Sequence, residues 1–295
     1  MSTFVRPKPV LFTAAVAALF ALTACSTSAA PEASNSSEPS AAAEVVLGDP
    51  SALELIEDGV LTVHVDDPVW SPWFIDNDPS NGEGFESALT YAVAEKLGFA
   101  EGDVTWGYTA FSASYSPGPK PFDFYVQEVS ITEDRKAAVT FSDPYYVSRS
   151  VVITKEGSEA SAATSIEELS QFTFGTVVAT TQDTYISETI NPDNVLTFDT
   201  VALSTQALEN GQVDAIVADL QIAQNVVLNQ YDDLQIAGLL KDNGLSEGMG
   251  FVFDLNSPLA PYVNAALQEL EEEGTIDELV ETWLPLPADI EEYTE

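Results

Sequence analysis

Few side chains in this sequence can do covalent chemistry. The 295 residues hold one cysteine, Cys25, and one histidine, His64. One thiol makes neither an internal disulfide nor a cysteine-based metal cluster, and one imidazole makes no histidine pair, so no zinc or iron site is expected. His64 falls in residues 60–65, which read as a strand, where it suits core or turn better than catalysis. No Ser–His pair and no pair of carboxylates can be assigned to one site. What remains is recognition chemistry. Thr180 and Thr181 stand between an apolar strand-like run and a helical stretch. A helix N-terminus offers unpaired N–H groups to an anion, or one threonine merely caps the helix; both can hold. Asp219 follows the strand-like run 215–217, and ligands of open α/β sheets sit beyond the carboxyl ends of strands. Its carboxylate can meet a cationic group there, whereas Asp214 suits the preceding turn.

Such residues need a framework. Residues 60–65 predict a strand. Phe85, Ala88, Leu89, Ala92, Val93 and Leu97 recur at helical spacing until Gly98 stops them. Strands are predicted at 104–106, 122–129 and 151–153. The scheme then restarts, with a short helix at 166–169, strands at 172–178, 195–198 and 215–217, and helices at 184–190 and 203–209. Two amphipathic helices, 259–270 and 276–283, flank Gly274. Alternation of this kind predicts an α/β fold with mostly parallel sheets. At 295 residues, two lobes or domains are expected.

Charge narrows the partners. The chain has 48 acidic and 9 basic residues, a formal net charge of −39. It is repelled by nucleic acid and by anionic lipid head groups. Arg6 and Lys8 precede an apolar run of 15 residues, 10–24. That is shorter than the ~20 residues that span a bilayer, so residues 1–24 read as a signal peptide. Leu22-Thr23-Ala24-Cys25 resembles a bacterial lipobox, with Cys25 acylated; an ordinary secretory signal with an incidental cysteine is the alternative. Residues 25–49 are rich in Ser, Ala, Pro and Glu and read as a flexible linker. The expected location is the outer face of the cytoplasmic membrane, held by the lipid anchor alone.

Several blocks, in order, resemble the extracellular solute-binding proteins of family 3, which serve ABC importers of polar amino acids. They are Leu61-Thr62-Val63 with Asp66, Pro68, Trp70, Pro72, Trp73 and Phe74; Gly84-Phe85-Glu86 with Glu95-Lys96-Leu97-Gly98; and Phe122-Asp123-Phe124, Ser130-Ile131-Thr132-Glu133-Asp134-Arg135 and Phe141-Ser142-Asp143-Pro144-Tyr145-Tyr146. Ala179-Thr180-Thr181-Gln182-Asp183-Thr184, Asn210-Gly211-Gln212-Val213-Asp214-Ala215 with Asp219, and Gly248-Met249-Gly250-Phe251 with Glu273-Gly274-Thr275 and Trp283 complete the set. The resemblance covers about residues 50–285.

The resemblance implies a two-lobed, type II periplasmic-binding-protein fold, with two hinge crossings and a ligand cleft between the lobes. Lobe one would be 50–148 plus 248–295, and lobe two 149–247. Arg135 would take an amino-acid carboxylate as a planar fork, with Ser130, Thr180 and Thr181 beside it and Asp219 on the ammonium. Trp70, Trp73 and Phe111 would pack on the ligand side chain, although Trp73 suits the core equally well. Glu128 stands where relatives often have a small residue. It favours a cationic ligand, or repels an ordinary carboxylate, or only hydrogen-bonds inside lobe one. The implied partners are a small amino-acid-like ligand, an ABC permease and its ATPase, with no cofactor and a monomeric chain. A dehydratase-like enzyme on the same fold, or a ligand-sensing lipoprotein that signals to a membrane partner, are the alternatives.

Overall fold

The computed structural model describes residues 45–285 and 290–294. Cys25, the expected 1–24 signal peptide and most of the expected 25–49 linker lie outside the described residues.

Two five-stranded sheets form the framework. The first contains β1 (Leu61–Val65), β2 (Val104–Tyr108), β3 (Phe124–Tyr125), β4 (Thr140–Phe141) and β10 (Val252–Phe253), ordered β2-β1-β3-β10-β4. The second contains β5 (Ser150–Lys155), β6 (Phe174–Val177), β7 (Val195–Phe198), β8 (Ala215–Asp219) and β9 (Leu234–Leu239), ordered β7-β6-β8-β5-β9. The chain passes to the second sheet after β4 and returns at β10, so two segments, 142–149 and 240–251, join two α/β lobes.

Sequence pattern accounts for each sheet. In β1, Leu61, Val63 and Val65 are buried and alternate with half-buried Thr62 and His64, the period of two that a pleated strand imposes. In the second sheet, Val151 and Ile153 pack on one face with Ile216 and Ala218, while Val152 packs on the other with Ala215 and Val217. Both faces are covered, so the strands read as continuous apolar runs. β1 pairs in parallel with β2 and β3, and β6 with β7 and β8. The expectation of mostly parallel sheets is not met, because β10 runs antiparallel to β3 and β4, and β5 to β8 and β9. β5 and β10 are the strands by which the chain changes lobes. No helical crossover delivers them, so nothing imposes a parallel direction.

The Phe85–Leu97 helix buries Phe85, Leu89, Val93 and Leu97 against a first-lobe core that includes Trp73, Phe74, Phe124, Phe251 and Phe253. Its start requires Gly84. The φ there is +97°, and a Cβ would come within 2.5 Å of the Trp73 carbonyl oxygen. Helices Ala260–Glu272 and Thr275–Trp283 pack on the same core. None of the described helices is long and apolar enough to cross a membrane.

The C-terminal end departs from the expected 248–295 segment of lobe one. Residues 290–294 run beside the second sheet. The Leu239 N–H donates to the Glu291 carbonyl at 2.8 Å, and the Tyr293 N–H donates to the Leu239 carbonyl at 2.9 Å. The Tyr293 ring lies so close to Gly238 that a Cβ there would come within 2.6 Å of it. Burial of Tyr293 among Leu169, Phe174 and Leu240 holds the tail on the second lobe.

Candidate functional site

Arg135 lies between the lobes. Thr132 caps the short Glu133–Lys136 helix by accepting from the Arg135 N–H at 3.2 Å, which fixes the Arg135 backbone. One guanidinium nitrogen donates to the Ser130 carbonyl at 2.8 Å, and another donates across the cleft to the Ala179 carbonyl at 3.2 Å. The guanidinium carbon is 4.2 Å from the Tyr115 ring centre and 5.6 Å from that of Phe111, within cation–π range. Burial lowers the Arg135 pKa and Tyr115 opposes that shift, so the side chain stays charged. The Ser130 and Thr181 hydroxyls are 3.5 Å apart, and the Tyr115 hydroxyl donates to the Ala179 carbonyl at 3.2 Å. These contacts bridge the two walls of the cleft.

The second lobe supplies a helix start and a strand end. Thr180 Oγ1 accepts from the Asp183 N–H at 3.1 Å and donates to the Val177 carbonyl at 2.8 Å, so Thr180 is the N-cap. Thr181 opens the helix and faces Ser130. Asp219 closes β8 and lines the cleft. Burial pushes its pKa up to about 6, against hydrogen bonds from Ser148 and Gln182.

In the first lobe the Glu86 carboxyl meets the backbone of Glu128. The Glu128 N–H donates to Glu86 Oε1 at 2.7 Å, and the Tyr145 hydroxyl donates to the same oxygen. This contact bends the chain out of the sheet, with Glu128 at φ +51°, which is why the predicted 122–129 strand shortens to β3. The Oε2 atoms of both Glu86 and Glu128 are shielded from solvent and find no hydrogen-bond partner among the described residues. Burial raises both pKa values, against the hydrogen bonds that Glu86 accepts from Tyr145 and the Glu128 N–H, and the charges of Glu86 and Asp219 raise that of Glu128 further. The Glu86 carboxyl thus holds the Glu128 backbone, a contact that sequence spacing could not reveal, because 42 residues separate the two.

Of the residues named from sequence, Trp70, Phe111, Glu128, Ser130 and Arg135 line the cleft from the first lobe, and Thr180, Thr181 and Asp219 from the second. Trp73 does not. It has no exposed surface and packs edge-on against Phe85 and Tyr146, because the backbone bonds from Phe85 and Glu86 to Pro72 and Trp73 draw it under the helix. Sequence reasoning missed Asp66, Gln127 and Gln182 as lining residues. Asp66 Oδ2 accepts from the Phe111 N–H at 3.1 Å, and the Asp66 N–H donates to Gln127 Oε1 at 2.7 Å. The position of Asp66, just past the end of β1, is the signal that could have found it.

The sequence pattern of the bacterial extracellular solute-binding proteins, family 3, matches residues 61–286. The L-cystine-binding protein TcyJ of Escherichia coli K12 is 26% identical over 230 residues, 77% of this chain and 83% of that protein. The arginine-binding periplasmic protein of Mannheimia haemolytica is 24% identical over 222 residues, 74% of this chain and 89% of its own. Among solved structures, the arginine-, lysine-, histidine-binding protein ArtJ from Geobacillus stearothermophilus aligns with a TM-score of 0.65 at 26% identity, over 78% of this chain and 97% of that one. The ancestral amino-acid-binding protein AncCDT-1, a precursor of cyclohexadienyl dehydratase, aligns with a TM-score of 0.63 at 26% identity, over 76% and 95%.

Proposed function

The chain belongs to the bacterial extracellular solute-binding proteins of family 3, and from that premise we propose that it captures a free amino acid between its lobes for an ABC permease and its ATPase. The observation that carries this is the position of Arg135, buried at the meeting of the lobes beside Ser130 and Thr181, with Asp219 in the same cleft. An amino acid offers a carboxylate, an ammonium and a side chain. The guanidinium fork, with donors beyond those used on Ser130 and Ala179, takes the carboxylate. Asp219 takes the ammonium, and Trp70 and Phe111 flank the side chain. The relatives that bind cystine, arginine, lysine and histidine support a ligand of this class. Each captured ligand closes the hinge formed by 142–149 and 240–251.

In this proposal the protein acts as a monomer; one chain supplies both walls, so capture needs no second copy. Cys25 is its acylated attachment point and 25–49 its tether. Cys25→Ser is expected to release it from membranes; acyl labelling that persists in this variant would remove the anchor from the reading.

One observation favours a second reading. Glu128 lines the cleft with a raised pKa, which suits a general acid, and the similar AncCDT-1 is a precursor of cyclohexadienyl dehydratase. A thermal-shift screen of the purified protein against the common amino acids tests capture directly, because a bound ligand raises the melting temperature by mass action. Mass spectrometry of the recovered ligand separates the two readings. An unchanged ligand supports capture, and conversion to product overturns it.

A further inference from the structure

Five carboxyl side chains line the cleft, Asp66, Asp67, Glu128, Asp199 and Asp219, against one guanidinium, Arg135. That proportion is close to the 48 to 9 of the whole chain, so by itself it decides nothing. What separates Glu128 from the surface acids is enclosure. Its Oε2 is shielded and unpartnered, and so is the Oε2 of Glu86, whose other oxygen accepts from the Glu128 N–H. Arg135 does not answer this charge. Its guanidinium donates to two backbone carbonyls, its face lies on Tyr115, and it makes no ion pair with a carboxylate among the described residues.

The charges can be followed through binding. Burial, the Glu86 carboxyl and Asp219 all disfavour the ionised form of Glu128 in the free cleft. An ordinary zwitterionic amino acid brings one carboxylate for Arg135 and one ammonium for Asp219. It leaves the shielded Glu128 oxygen without a partner. A second cation on the ligand supplies one. The aromatic surface next to Glu128 is suited to it as well, since Trp70 lines the same cavity and a ring face attracts a cation.

We propose that Glu128, backed by Glu86, is the specificity-determining residue of the cleft and selects an amino acid whose side chain carries a second cationic group, an amine or a guanidine. This rests on the reading of the cleft as an amino-acid site. It takes the first of the three roles open to Glu128 from sequence. Contacts inside lobe one do not use up its carboxyl, and the carboxylate of the ligand has its own partner in Arg135.

The test is calorimetry at neutral pH with isosteric pairs, L-arginine against L-citrulline and L-lysine against L-norleucine. In the unaltered protein at least one cationic member is expected to bind about 100-fold tighter than its neutral partner, the scale of a desolvated charge pair. Glu128→Gln is expected to bring that ratio below about tenfold, chiefly by weakening the cationic ligand. Equal affinity for the two members of each pair, or an unchanged ratio in Glu128→Gln, would overturn the proposal. The unaltered protein's ratio stands as a test even if the variant fails to fold. Binding of neutral amino acids alone sinks this inference and leaves amino-acid capture intact; binding of no amino acid sinks both.

Discussion

On the second-lobe wall of the cleft, Thr180 finds its hydrogen-bond partners within its own lobe and Asp219 finds them in Gln182 and the hinge residue Ser148, whereas Glu128 on the first-lobe wall, and Glu86 bonded to its N–H, each keep a shielded oxygen without one. The contrast separates two tasks. A wall whose polar groups are satisfied at home is set in advance and orients a ligand at little cost. A wall that holds an unanswered charge gains only from a ligand that answers it, and so discriminates. Arg135 stands at the junction, anchored to the first wall through Ser130 and reaching the second through Ala179. The most severe way to break the comparison is to remove it. Arg135→Ala is expected to weaken ligand binding by about 4 kcal/mol, roughly a thousandfold, since it leaves a ligand carboxylate buried without its partner. Arg135→Lys should recover only part of the loss, because a point charge cannot reproduce the fork. Titration calorimetry measures both. Affinity within threefold of the parent in Arg135→Ala would mean that the ligand does not bridge the walls at all.

The two walls were unequally legible in the sequence. The second-lobe wall is local. Thr180 and Thr181 sit at one strand-to-helix junction and Asp219 at one strand end, so spacing and turn position were enough to bring them forward. The first-lobe wall is assembled from distant segments. Asp66 follows β1, Phe111 opens a short helix, and Glu128 is turned by a hydrogen bond to Glu86, which a glycine places under the same wall. No local periodicity encodes such a contact. Trp73 failed for a related reason. Its spacing from Trp70 reads equally well as cleft or core, and only the backbone bonds from Phe85 and Glu86 decide for the core. The sheets followed the same rule. β1, β2 and β5 to β8 were read within a few residues, but β9 was not predicted, and β4 and β10, each two residues long, and the tail at 290–294, which makes isolated bridges, have no pattern of their own. Their place comes from what they pack against.

The unanswered charge also predicts how the walls respond to pH. Glu86 and Glu128 have raised pKa values in the folded protein, so between the ordinary carboxylate range and those raised values the folded state holds more protons than the unfolded one. The protons bound by the unfolded state minus those of the native state is then negative, and stability falls as pH rises. The free protein is expected to lose stability progressively from about pH 5 to about pH 8. Its large net negative charge pushes the same way, so a variant is needed to isolate the pair. Glu86→Gln keeps an acceptor for the Glu128 N–H and the Tyr145 hydroxyl and removes the buried charge. It is expected to stabilise the protein by about 1–2 kcal/mol at pH 8 and to flatten the slope. Denaturant titrations at several pH values check this. A slope as steep as the parent's would show that the pair carries no enclosed charge. Ligand affinity should run the other way on acidification, falling below about pH 6 as Asp219 takes up its proton.

The smallest expected effects sharpen the comparison most, because they divide two adjacent threonines. Thr180 makes both of its side-chain bonds inside its own lobe, to the Asp183 N–H and the Val177 carbonyl. Thr181 turns its hydroxyl toward Ser130 across the cleft. Loss of an N-cap costs about 1 kcal/mol of folding stability, so Thr180→Ala should lower the unfolding midpoint and change affinity little. Thr181→Ala removes no cap. It should leave stability within about 0.5 kcal/mol of the parent, yet weaken binding by about 1 kcal/mol, or roughly fivefold, the worth of one hydrogen bond to a ligand carboxylate. Denaturant titration reads the first quantity and calorimetry the second. If both variants lost affinity and neither lost stability, Thr180 would be a ligand partner rather than a structural one. The second-lobe wall would then need its ligand for satisfaction as much as the first does, and the division of tasks between the walls would be gone.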